Sequence, residues 1–119
     1  MKRALIVDDE LDICLMVTKH LQNLHFETDY ALTVKDALRS VSAYSYELIF
    51  VDLNLPDGSG FDVILHTGKV SLQSKIIVIS AHDNESMKAL EKGANLFISK
   101  PFTLKTINEG LKVLHLIPN

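Results

Sequence analysis

The sequence holds one cysteine in 119 residues, so no internal disulfide can form and a reducing compartment is expected. Three prolines and five glycines are too few for a disordered or collagenous chain. Basic charge is not in surplus: twelve Lys and Arg stand against fifteen Asp and Glu, a formal net charge of −3, which disfavours direct contact with DNA or RNA. No apolar run approaches the roughly 18 residues of a membrane span. The apolar stretch after Met1-Lys2-Arg3 is cut short at Asp8, which does not fit a signal peptide. No repeat, low-complexity tract or linker is visible, and the five histidines show no zinc-like pairing. What remains is one domain over residues 1–119, expected in the cytoplasm, with 47% hydrophobic residues for a single layered core.

Apolar runs and amphipathic stretches alternate along the chain. Ala4-Leu5-Ile6-Val7, Leu48-Ile49-Phe50-Val51, Ile76-Ile77-Val78-Ile79 and Leu96-Phe97-Ile98 are short, continuous and β-branched or aromatic. Continuity without alternation predicts strands covered on both faces, as in a parallel sheet between helices. Phe26 to Tyr30 alternates instead and reads as a half-exposed edge strand. Leu11, Cys14, Val17, Leu21 and Leu24 step by three and four, as do Val34, Ala37, Leu38 and Val41 behind a Thr33 N-cap. Phe61, Ile64 and Leu65 carry a third stripe that fades at Gly68. Leu104, Ile107, Leu111 and Leu114 form the last, with Thr103 as N-cap and Pro118 as the stop. Between them, Glu85 to Lys92 offers only Met87, Ala89 and Leu90 for burial, and is expected to be the least firmly held helix. Five strands alternating with five helices specify an α/β fold with helices on both faces of a largely parallel sheet.

Ligands of such sheets bind at the carboxyl ends of the strands. The residues there are Asp8, Asp9 and Glu10 after the first run, Asp52 after the third, Ser80 after the fourth, and Ser99 and Lys100 after the fifth. One aspartate after a strand is an ordinary helix cap, but three converging carboxylates repel, at about 4 kcal/mol per pair for ~4 Å and an effective dielectric near 20. A cation resolves the conflict, and an all-oxygen site with few protein ligands favours Mg²⁺. With the Lys100 ammonium and the Ser80 hydroxyl, the set suits phosphoryl transfer to a carboxylate. Cys14 lies on a core stripe, so thiol chemistry is not expected.

In Val7-Asp8-Asp9-Glu10, in Asp52-Leu53-Asn54-Leu55-Pro56-Asp57-Gly58-Ser59-Gly60, in Ser80-Ala81 and in Lys100-Pro101-Phe102, the chain resembles a bacterial response-regulator receiver domain of the chemotaxis-regulator type. The likeness covers the whole sequence. It implies a flavodoxin-like, doubly wound five-stranded parallel sheet of order 2-1-3-4-5 with five helices. It also implies that Asp52 takes up phosphorus, that Asp9 binds Mg²⁺ directly and Asp8 through water, and that the Asn54 carbonyl completes the protein ligands. Ser80 and Lys100 then contact the phosphoryl oxygens, and the Lys100–Pro101 bond is cis. Pro56 with Gly58 and Gly60 shapes the loop after Asp52.

By the same resemblance Phe97 is the switch aromatic, where many members carry tyrosine; without a hydroxyl its coupling to Ser80 runs through packing. Asn54 and His82 flank the path of the hydrolytic water and tune phosphoryl lifetime. Drawing Ser80 toward the phosphate makes room for Phe97 and shifts the face formed by roughly 85–92, 96–99 and 103–115. Ile13 and Met16 lie off the core stripe, with His20 alongside, and together with Phe102 are expected to receive the phosphodonor protein. The implied partners are a sensor histidine kinase or histidine phosphotransfer protein, and a downstream effector or a C-terminal output domain. A phosphorylation-dependent dimer through the last helices is compatible with the charges there. The implied chemistry is self-phosphorylation and self-dephosphorylation, with no separate turnover substrate.

Two alternatives use the same groups. An aspartate-nucleophile phosphatase of the haloacid-dehalogenase kind would carry its nucleophile in D-x-D after strand one and needs a substrate cap for which this chain is short. A degenerate receiver acting only as an interaction module would lack a key residue, and none is missing. A flavin or nucleotide site is disfavoured because the acidic pair repels phosphate and no P-loop occurs. Pro118-Asn119, closing the last helix without a linker, suggests either a stand-alone regulator or the front end of a longer one cut at that edge.

Overall fold

Continuous β-branched runs lose alternation because helices cover them from both sides, and the computed structural model, which describes residues 2–119, carries this out in one parallel sheet. Its strands are β1 (Arg3–Val7), β2 (Glu27–Ala31), β3 (Leu48–Asp52), β4 (Lys75–Ser80) and β5 (Leu96–Ser99). The helices are α1 (Leu11–Asn23), α2 (Val34–Ala43), α3 (Gly60–Val70), α4 (Ser86–Glu91) and α5 (Leu104–Val113). The order β2-β1-β3-β4-β5 reverses direction between β1 and β3. That is the expected flavodoxin-like arrangement. A two-residue antiparallel ladder, Asn54–Leu55 with Gly58–Ser59, follows β3, and a 3₁₀ turn, Asp83–Glu85, precedes α4. Met1, first residue of the expected domain, lies outside the described residues.

Strand periodicity of two divides the core. Leu5, Val7, Ile49, Val51, Ile76 and Val78 face α2, α3 and the single buried α4 residue, Ala89. Ala4, Ile6, Leu48, Phe50, Ile77 and Ile79 face Cys14, Val17 and Leu21 of α1 and Ile107 and Leu111 of α5. Thr33 and Thr103 cap as expected, their hydroxyls accepting the Asp36 and Thr106 amides at 3.1 and 3.2 Å. Among the described residues no helix is long and apolar enough to cross a membrane.

Several side chains depart from their expected stripes. Leu11, Leu65 and Leu104 are exposed, while Thr18 and Val63 are buried in their neighbourhood. Leu11 and Leu104 are the first residues of their helices and Leu65 lies in the second turn of α3, at the margin of the apolar stripe. Met87 and Leu90 are exposed too, so α4 is held by even less than its sequence offers. The edge strand starts at Glu27, with Phe26 buried in the preceding turn under α1. α5 ends at Val113, and its termination is completed by His115 at φ 59° and by the Leu116 N–H returning to the Leu111 carbonyl at 2.9 Å, ahead of Pro118.

Candidate functional site

Because β1 and β3 are adjacent and in register, Val7 opposite Val51, the residues that follow them emerge side by side. Asp8 is fully buried; its Oδ1 accepts the Glu10 N–H at 2.9 Å, which sets the turn into α1. Asp52, the last residue of β3, is buried and accepts the Asn54 N–H at 3.1 Å on Oδ1. The Lys100 Nζ reaches Oδ2 of both acids at 2.9 Å and Glu10 Oε2 at 3.4 Å. The Lys100 backbone is anchored as well: its N–H donates to the Ser80 carbonyl at 2.8 Å, and the Lys100–Pro101 bond is cis.

Asp9 is exposed, yet Asp8, Asp9 and Asp52 each place a carboxylate oxygen within 4.8 Å of the others. Burial pushes the Asp8 carboxyl up, against the lowering by the Glu10 amide and Lys100. Burial alone would lower the Lys100 ammonium, but hydrogen bonds to Asp52 and Asp8 outweigh it and hold the group protonated. One ammonium does not balance three carboxylates. Asp8 Oδ2, though ion-paired with Lys100, has no well-formed hydrogen bond. A buried carboxylate oxygen with spare valence, in an oxygen-only set of surplus negative charge, fits a hard divalent cation such as Mg²⁺. Cys14, by contrast, is inert: burial pushes its thiol up to about 12, and its Sγ donates to the Asp8 carbonyl at 3.3 Å.

Ser80 is fully buried at the end of β4 beside Ser99 of β5, and its hydroxyl is engaged outside the aspartate cluster. Its Oγ donates to Glu85 Oε1 at 2.9 Å and accepts the His82 N–H at 3.0 Å. Sequence reading missed Glu85, because the 3₁₀ turn that brings it back onto Ser80 has no signature of its own. It also gave no role to Asp57, whose carboxylate accepts the Val34 and Lys35 amides at 2.7 and 3.1 Å and ties the loop after Asp52 to the start of α2. A Pro-Asp-Gly turn is legible locally; the remote helix end it caps is not.

The other expected positions divide. Ile13, Met16 and Phe102 do come together, lining with Glu10, Ala81, Lys100 and Pro101 a surface cleft of about 420 Å³. Phe97 is half-buried and packs against the core cluster shared by α2, α3 and α4. Asn54 and His82 are both exposed, two residues beyond Asp52 and Ser80. Gly60 is required by contact: a Cβ there would lie 2.3 Å from the Asp52 carbonyl oxygen.

The profile of the response regulator receiver domain matches residues 4–112. The chain belongs to this family, whose members are signalling modules of two-component systems. It is 34% identical over 112 residues to the sensory transduction protein LytR of Staphylococcus epidermidis, covering 92% of this chain and 44% of that protein. It is 33% identical over 110 residues to the response regulator protein PilR of Pseudomonas aeruginosa, covering 91% of this chain and 25% of that one. The chain thus spans less than half the length of these curated relatives. Among solved structures, the response regulator TrrA of Thermotoga maritima, in complex with Mg(2+)-BeF, superposes with a TM-score of 0.85 at 30% identity, over 96% of this chain and 99% of that one.

Proposed function

We propose that residues 1–119 form a receiver domain in which Asp52 takes a phosphoryl group from a sensor histidine kinase or a histidine phosphotransfer protein. The observation that carries this reading is the Lys100 ammonium bridging two buried carboxylates, Asp8 and Asp52, at 2.9 Å each. In the transfer, an Asp52 carboxylate oxygen attacks phosphorus. The P–N bond to the donor imidazole breaks, and its electron pair leaves with the imidazole, which takes up a proton. Asp8, Asp9, Asp52 and the Asn54 carbonyl would hold Mg²⁺, which supplies Lewis-acid neutralisation of the phosphoryl oxygens. Lys100 exchanges one of its carboxylate partners for the new phosphoryl oxygens, and the Ser80 hydroxyl donates to them. The domain promotes its own phosphorylation and hydrolysis and has no separate turnover substrate. Asn54 and His82, on the exposed rim, tune the lifetime of the adduct; Asn54→Ala and His82→Ala are expected to change its decay while leaving the fold intact.

The added charge, about −1.5 to −2, biases a two-state element. Ser80 moves toward the phosphate, Phe97 turns into the space behind it, and α4, β5 and α5 shift to control an effector, an output domain or a dimer. The cleft at Ile13, Met16 and Phe102 receives the phosphodonor protein. This reading implies a domain that works in the cytoplasm and needs neither nucleic acid nor membrane. Incubation with acetyl phosphate and Mg²⁺ should give an acid-stable, alkali-labile adduct. An adduct that survives Asp52→Asn would exclude Asp52 as acceptor.

A further inference from the structure

Ser80 has a single hydroxyl proton, and in this structure that proton is committed to Glu85, at 2.9 Å. Its oxygen simultaneously accepts the His82 N–H at 3.0 Å, and the residue is fully buried, so bulk water offers no alternative partner. A phosphoryl group on Asp52 can gain the Ser80 donor only by taking it from Glu85. We propose that Glu85 is a positioning residue: a latch that holds the Ser80 hydroxyl in its off orientation and sets how readily the domain accepts a phosphoryl group. The inference rests on the phosphoacceptor reading above and adds a competitor to it.

A second bond of the same kind lies beside the first. Ser99, opposite Ser80 across β4 and β5, donates its hydroxyl to Asp83. The turn Asp83–Glu85 is therefore pinned to the ends of two strands by two carboxylate–hydroxyl bonds, and it runs directly into α4 at Ser86. Since α4 buries only Ala89, the pinned turn supplies much of what positions its first residues. Redirecting the Ser80 O–H from Glu85 to a phosphoryl oxygen leaves the half-buried Glu85 carboxylate to seek solvent, and the start of α4 is released with it. The latch thus connects site chemistry to the least firmly held helix.

Calorimetric titration with Mg²⁺ and beryllofluoride, a phosphoryl mimic, tests this in the wild type, Glu85→Ala, Glu85→Gln, Ser80→Ala and the Ser80→Ala/Glu85→Ala double variant. Glu85→Ala should tighten binding about tenfold, the size of one hydrogen bond to a charged group. Glu85→Gln keeps a neutral acceptor and should fall between it and the wild type. In the Ser80→Ala background, Glu85→Ala should change nothing, because no hydroxyl remains to hold. An unchanged affinity in Glu85→Ala overturns the latch alone. So does equal tightening with and without the Ser80 hydroxyl, which would make Glu85 a plain source of repulsion. If the wild type fails to bind, or Asp52→Asn binds as well, the phosphoacceptor reading falls and the latch falls with it.

Discussion

Lys100 Nζ lies 2.9 Å from Asp52 Oδ2, an ion pair that joins the end of β3 to the residue following β5. It couples a charge change at Asp52 directly to the residue that follows the fifth strand. The same ammonium is the neighbouring positive charge for buried Asp8, so its removal leaves acids facing one another with no counter-charge.

Lys100→Met should therefore destabilise the metal-free protein at neutral pH by about 3 kcal/mol, the low end for breaking a buried ion pair by deleting one partner. Urea unfolding in EDTA measures it. Adding Mg²⁺ should recover part of the loss, since a bound cation compensates the same carboxylates. Unchanged stability without metal would show that the three acids carry no net repulsion.

Much of this site is legible in the sequence because it depends on topology alone. Once the runs ending at Val7, Val51, Ile79 and Ile98 are read as parallel strands, Asp8, Asp52, Ser80 and Lys100 must share one edge of the sheet. Thr33 and Thr103 are legible as caps for a similar reason, since capping is settled within three residues. Glu85 and Asp57 are not. Each acts across a turn whose direction depends on tertiary packing, and nothing in Asp83-Asn84-Glu85 says that its last carboxylate returns to Ser80. The exposed leucines fail differently: Leu11, Leu65 and Leu104 keep a helical period with buried neighbours, yet period does not say which margin of a stripe the sheet leaves uncovered.

Asp57 gives a pH-dependent prediction. The Val34 amide first, and the Lys35 amide second, hold its carboxyl below the ordinary value of 3.8. A depressed folded-state value means that its stabilisation is complete above 3.8 and is lost as pH falls through the lower, folded value. Asp57→Asn should lower the urea midpoint at pH 7 and differ progressively less from the wild type as the solution is acidified below 3.8. A gap independent of pH would show that ionisation of Asp57 is not what stabilises its bonds to the α2 amides.

Gly60 is the point where α3 begins against the back of Asp52. An added Cβ would meet the Asp52 carbonyl oxygen at 2.3 Å, and backbone cannot rotate away as a side chain could. Gly60→Ala should cost about 2–3 kcal/mol as a steric insertion, read from thermal or urea unfolding. It should also slow adduct formation with acetyl phosphate, because the residue displaced is the acceptor itself. Wild-type stability with wild-type phosphorylation would mean that α3 can slide without moving the end of β3.

Ile13 separates phosphodonor recognition from phosphoryl chemistry. It is half-buried in the cleft with Met16 and Phe102, one helical turn past the acidic pair, and touches none of the carboxylates by hydrogen bond or ion pair. If that cleft receives the donor protein, truncating an apolar anchor at its centre should weaken the encounter by about tenfold, as at other interface hot spots. Transfer from a phosphorylated histidine protein to Ile13→Ala should then slow by about that factor at subsaturating concentration. The rate with acetyl phosphate, which needs no protein docking, should stay at the wild-type value. Equal slowing with both donors would assign Ile13 to packing beneath the site, and equal wild-type rates with both would remove the cleft from the docking surface.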